Sequence, residues 1–149
     1  MAGDHIDDLM KLFIFQLLTR EEVEGVLSVF SEKIYPAETV IFSEGERGDT
    51  MFVVTAGAVK IFKADNKQEK EIAVLGAGDF FGEVTLFDYA FRTASAKTIE
   101  GTSLLAVRRD TFNDFFLRNP AISSKMLFQM MAEMSRRVRK SITPSLVFF

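Results

Sequence analysis

The chain has 149 residues, 48% hydrophobic and 26% charged, with a formal net charge of −3. At this length roughly 68–70% of the unfolded chain's surface is buried on folding, which suits one cored domain without staples. No cysteine and a single histidine, His5, exclude disulfide scaffolds, clustered metal ligands, haem ligation and Ser-His catalysis, and the acidic balance excludes a global field that would gather nucleic acid.

No apolar run approaches the roughly 20 residues that cross a bilayer, and Asp4, Asp7 and Asp8 are foreign to a secretory leader. A cytoplasmic chain with no membrane contact and no metal is expected. Residues 1–31 form the first zone, helical over 9–31. Leu12, Phe13, Phe15, Leu17 and Leu18 predict a short helix or tight apolar segment. Thr19-Arg20-Glu21-Glu22 is a capping box, in which the Thr19 hydroxyl accepts from the Glu22 amide and the Glu22 carboxylate reaches back. Val23, Val26, Leu27 and Phe30 then recur on one helical face.

Residues 32–109 form the second zone, short strands separated by turns. Apolar, β-branched runs at 39–42, 51–54, 59–63, 71–75, 93–99 and 103–107 alternate with polar or glycine-bearing turns. Strands at this spacing, with no strand–helix alternation, predict a sandwich or barrel rather than a parallel sheet.

Residues 110–149 form the third zone, C-terminal helices and tail. Asp110 is placed to cap a helix over about 111–117, and Asn119-Pro120 starts a second one, with proline at its first position. That helix is expected to run toward Thr143-Pro144, where proline stops it. Leu127, Met131, Met134, Val138 and Ser141 are spaced 4-3-4-3, a heptad-like stripe that suits either a homodimer seam or a helix sealed against its own barrel. The apolar end, Leu146-Val147-Phe148-Phe149, either covers something or leads into further chain.

The segment richest in chemistry is 82–96, between two strand patterns. Gly82 permits a positive φ or a close backbone approach, and residues 83–87 suit one helical turn whose free amides favour an anion. Arg92 follows Glu83 by nine residues, where a guanidinium can fork onto two phosphate oxygens. Glu83 accepts hydrogen bonds only, so beside an anion it needs a hydroxyl donor. A sugar phosphate supplies both groups. The alternative is that Glu83 and Arg92 are an ordinary surface ion pair.

Phe81-Gly82-Glu83-Val84-Thr85-Leu86, then five residues, then Arg92-Thr93-Ala94-Ser95 resembles the phosphate-binding cassette of the cyclic nucleotide-binding domain family. That family includes the bacterial catabolite activator, regulatory subunits of cAMP-dependent kinase and gating domains of nucleotide-regulated channels. Gly45-Glu46-Arg47-Gly48-Asp49-Thr50-Met51-Phe52-Val53-Val54 with Gly57-Ala58-Val59, and Gly78-Asp79-Phe80-Phe81, resemble its glycine-rich turn and hairpins. The resemblance implies a mainly β fold with flanking helices: a jelly-roll (double-stranded β-helix) barrel, N-terminal helices and a long C-terminal helix.

It further implies that Glu83 accepts from a ribose 2′-OH, that Arg92 binds the exocyclic phosphate oxygens, and that Gly82, Val84, Thr85, Thr93 and Ala94 complete the pocket. Base-capping candidates are Arg136, Arg137, Lys140 and Ser141. The implied ligand is cAMP or cGMP, with cAMP favoured; Thr93 could bond a guanine amino group. Thr85 stands where the family usually has alanine, and Phe91 where proline often precedes the arginine, which suggests a less preorganised cassette.

The leading function is therefore a non-enzymatic ligand sensor that passes its signal through the C-terminal helix to a downstream effector. A degenerate protein-interaction domain, or the sensor part of a longer transcription factor or regulated enzyme, is the alternative. Nine residues follow Lys140, too few for a helix-turn-helix, so no DNA binding by this chain alone is expected.

Overall fold

The computed structural model describes residues 6–88 and 91–140. Eight strands form two antiparallel sheets. They are β1 (Ser31–Tyr35), β2 (Val40–Phe42), β3 (Thr50–Ala56), β4 (Val59–Asp65), β5 (Gln68–Leu75), β6 (Phe80–Phe81), β7 (Ser95–Thr98) and β8 (Thr102–Arg108). One sheet has the order β1-β8-β3-β6 and the other β2-β7-β4-β5, the expected jelly-roll. The β4–β5 hairpin turns at Asn66-Lys67, both in the left-handed region at φ 50° and 68°, the backbone that a two-residue hairpin loop demands.

The helices are α1 (Ile6–Leu9), α2 (Arg20–Leu27), α3 (Val84–Phe87), α4 (Arg109–Arg118) and α5 (Pro120–Lys140), with a 3-10 turn at Phe13–Phe15. The capping box of α2 is present in both directions, Glu22 N to Thr19 Oγ1 at 3.2 Å and Thr19 N to Glu22 Oε1 at 2.9 Å. Two expectations need correction. The N-terminal zone is not one helical stretch, because Ser31 already pairs with Ala106 in the β1–β8 ladder. Asp110 does not cap α4, which starts one residue earlier with Arg108 in extended conformation ahead of it. Asp110 sits in the first turn, where it complements the positive end of the helix dipole.

Strands β1 and β6 escape the pattern. The burial of β1 is exposed along most of its length, and β6 is two residues long, so neither shows a clean alternation. The apolar run Met51-Phe52-Val53-Val54 has a different reason. The sheet containing β3 is covered on both faces. Met51 and Val53, with Phe80, Leu105 and Val107, face the helices and join Val23, Val26, Phe112, Met126 and Met130 in one core. Phe52 and Val54, with Phe81, Leu104 and Ala106, face the second sheet and join Phe42, Ile61 and Ala96 in another.

Helix α5 lies on that sandwich through Ile122, Met126, Gln129, Met130 and Met134. The Gln129 amide donates to Phe13 O at 2.9 Å, and Lys125 Nζ donates to Glu22 Oε1 at 2.6 Å, so α5 is tied to the 3-10 turn and to α2. The Lys125 hydrogen bond, reinforced by the Thr19 amide, holds the Glu22 carboxyl below the ordinary carboxylate range. A depressed folded pKa means this tie contributes above the unfolded value and is lost as pH falls through the lowered one.

The heptad-like stripe divides. Met134 is buried in the domain's own core, whereas Leu127, Met131 and Val138 are exposed. Ser141 and the tail at 146–149 lie outside the described residues.

Candidate functional site

Residues 82–88 and 91–94 fold over one end of the barrel, beside the turn at 43–49. Gly82 takes φ +79°, and a Cβ there would lie 2.8 Å from Arg92 Nη1 and 2.9 Å from Thr50 O. Both the backbone angle and the space therefore require glycine. Residues Val84–Phe87 make the expected single helical turn.

Glu83 and Arg92 are 3% and 7% exposed, which removes the surface ion-pair alternative. Arg92 Nη2 donates to Thr50 O at 2.8 Å, and Nη1 is shared between Gly82 O and Thr85 Oγ1, each at 3.3 Å. The guanidinium lies over the Phe42 ring, 4.0 Å from its centroid, a cation–π contact that holds the fork flat. Its Nε is buried with no hydrogen-bond partner among the described residues. Burial pushes the Arg92 guanidinium down from its ordinary value, opposed by the carboxylates of Asp49, Glu46 and Glu83.

Gly48 leaves room for this side chain. A Cβ at Gly48 would stand 2.9 Å from Arg92 Cδ and closer still to Cζ and Nε. The Thr85 hydroxyl donates to Gly82 O at 3.0 Å while accepting from Arg92, so it closes a buried contact that alanine would lack. Phe91 lacks the fixed φ of proline, but the backbone of Arg92 is pinned otherwise. Its amide donates to Glu46 O at 2.7 Å and its carbonyl accepts from Gly45 N at 2.9 Å. The Phe91 ring is covered by Arg47 at 5.4 Å in a bridge between the two loops. Pairing of the two loops thus supplies order that a proline would otherwise supply.

Thr93 and Val84 are half-buried, and Ala94 faces the barrel core. Of the base-capping candidates only Arg137 is seen to reach the cassette. Its Nη1 donates to Glu83 Oε1 at 3.1 Å and its Nη2 to Phe80 O at 2.7 Å, while Glu133 flanks Nε at 3.5 Å. Arg136 instead pairs with Glu133 and covers Phe13, Lys140 is exposed at the last position of α5, and Ser141 lies outside the described residues. Sequence reasoning missed Phe42, Gly48 and Thr50. Gly48 carried a signal as the second glycine of its turn. The others did not, because their roles rest on a ring face and a carbonyl brought in from other elements.

Comparison with known proteins agrees with this geometry. The cyclic nucleotide-binding domain profile matches residues 32–119. The chain is 35% identical over 129 residues to the cyclic AMP receptor protein of Thermus thermophilus, covering 86% of this chain and 58% of that protein. The crystal structure of the Thermus thermophilus catabolite activator protein superposes with TM-score 0.76 at 35% identity, over 86% of this chain and 59% of that one. The chain is also 35% identical over 115 residues to a cGMP-dependent protein kinase of Drosophila melanogaster, covering 74% of this chain and 12% of the kinase. The chain therefore spans less than two-thirds of the length of these relatives. Among the described residues no helix is long and apolar enough to cross a membrane. A matching profile over most of the barrel, together with a buried arginine and glutamate in a glycine-walled cassette, places the chain in the cyclic nucleotide-binding domain family.

Proposed function

We propose that this domain is a non-enzymatic sensor that binds a 3′,5′-cyclic nucleotide, cAMP in preference to cGMP, through Gly82, Glu83, Val84, Thr85, Arg92, Thr93 and Ala94. The observation that carries this reading is the seat of Arg92. A buried guanidinium with an unsatisfied Nε–H is costly by about 1–3 kcal/mol or more, and a phosphate oxygen relieves that cost. Glu83, acceptor-only and close by, suits the neighbouring ribose 2′-OH. Signal output runs through α5, because the Glu83–Arg137 ion pair makes the ligand's ribose and the C-terminal helix share one carboxylate.

Calorimetric titration tests this. cAMP should bind, cGMP more weakly, and 5′-AMP far more weakly because a dianionic open phosphate changes the charge and shape presented to Arg92. Loss of the 2′-OH in 2′-deoxy-cAMP should cost at least about tenfold, since a hydrogen bond from that hydroxyl to the buried Glu83 carboxylate is lost. Equal binding of the ribo and deoxy ligands would assign Glu83 another role.

The 35% identity to the Thermus cyclic AMP receptor protein supports one further reading, the sensor part of a longer cytoplasmic regulator. An α5-mediated homodimer fits such a regulator. Met131, 66% exposed, lines a mainly apolar groove of about 530 Å³ between α3 and α5 with Val84, Phe87, Leu127, Met130 and Met134, and Glu83 and Asp88 also border it. Met131→Glu should give a folded monomer that sediments at half the wild-type mass. A wild-type domain that sediments as a monomer at micromolar concentration, with and without ligand, would exclude the dimer. Met134 is unsuitable for this test because it belongs to the domain's own core.

A further inference from the structure

Arg109 opens α4, far from the cassette in sequence. Its Nε donates to Thr85 O and its Nη2 to Gly48 O, both at 2.6 Å. Its backbone amide donates to Asp49 O, also at 2.6 Å. These acceptors belong to the two loops that form the slot of Arg92. Gly48 is the wall whose missing Cβ admits the Arg92 side chain, and Thr85 is the residue whose hydroxyl receives Arg92 Nη1.

The first turn of a helix disfavours positive charge, and Arg109 also disfavours ionisation of Arg92. A guanidinium suits the position for its geometry. It is a rigid fork that reaches two carbonyls on separate loops, and its charge adds to the positive potential where an anion would lie. The end of α3 also packs on α4, with Phe87 edge-on to Phe112 at 5.9 Å.

We infer that Arg109 is a positioning residue for the anion site, a clamp that sets the spacing of the Gly48 and Thr85 walls around Arg92 and links the cassette to the start of α4. This inference rests on the cyclic nucleotide reading above and names a residue outside the cassette on which that site depends.

The test is a double-mutant cycle read by cAMP titration, on proteins whose folding is checked by circular dichroism and whose melting temperatures are measured separately. Arg109→Gln should weaken cAMP at least about tenfold, and Arg109→Lys, which keeps the charge but loses the fork, by several-fold. In an Arg92→Lys background, Arg109→Gln should cost much less than it does alone, because the clamp acts through Arg92. Wild-type affinity in the Arg109 variants, or the same fold-loss in both backgrounds, would overturn the inference and reduce Arg109 to a structural tie.

If the variants do not fold, the wild-type domain still decides. The Arg109 Nε–H resonance, bonded to the Thr85 carbonyl, should shift on saturation with cAMP. An unmoved resonance in a protein that demonstrably binds would refute the clamp. Failure of the wild-type domain to bind any cyclic nucleotide would instead overturn the functional reading, and the two failures are therefore separable.

Discussion

Arg92→Ala should weaken cyclic nucleotide binding by at least about 2 kcal/mol, roughly 30-fold, because it strips a charge-assisted fork from a buried phosphate. Gly48→Ala should do nearly the same without removing any group that touches ligand. The backbone of Gly48 is not among the positive-φ positions, so alanine meets no conformational strain there. Its methyl group would occupy the space of Arg92 Cδ, Nε and Cζ. The guanidinium must then leave its seat over Phe42 and lose its bond to Thr50 O. Calorimetry on both variants checks this, with melting curves to show that each is folded. A Gly48→Ala domain that binds cAMP as tightly as wild type would mean that Arg92 does not use this slot when ligand is bound.

Arg137→Ala should give the second large effect, on stability and on signalling together. The Arg137 and Glu83 side chains are almost fully buried, and removing one partner of a buried pair leaves the other charge poorly compensated, at a cost of about 3–5 kcal/mol in fully buried cases. The melting temperature should fall, and ligand-dependent protection of α5 amides in hydrogen exchange should disappear, since Phe80 O and Glu83 lose their direct tie to the helix. Arg136→Ala is the control. It removes a pair with Glu133 and a ring contact with Phe13, so it should leave the coupling between ligand and α5 intact. Ligand-dependent α5 protection that survives in Arg137→Ala would place the signal on another route.

Local chemistry made much of this domain readable from the chain alone. The capping box at Thr19-Glu22, the proline start of α5 at Pro120, the hairpin between β4 and β5 and the positive φ at Gly82 are each set by residues within a few positions of one another. The spacing of Glu83 and Arg92 carried the family because both lie in one short loop segment whose geometry follows from its own glycine and turn.

Tertiary structure alone decided the rest. Whether Glu83 and Arg92 form a solvated pair or a buried site depends on the sheet and helix that cover them. That Arg137, rather than Arg136 or Lys140, meets Glu83 depends on which side of α5 seals the barrel, a rotation of one residue that sequence period cannot resolve. The heptad-like stripe reads as one face in sequence, yet the barrel takes Met134 and leaves Leu127, Met131 and Val138 outside, because the face of α5 that packs on the sheet runs through Ile122, Met126, Gln129, Met130 and Met134, rotated from that stripe. Arg109 left no trace in the sequence at all. Its partners are carbonyl oxygens, present on every residue, and only the fold determines which of them come within 2.6 Å of a guanidinium.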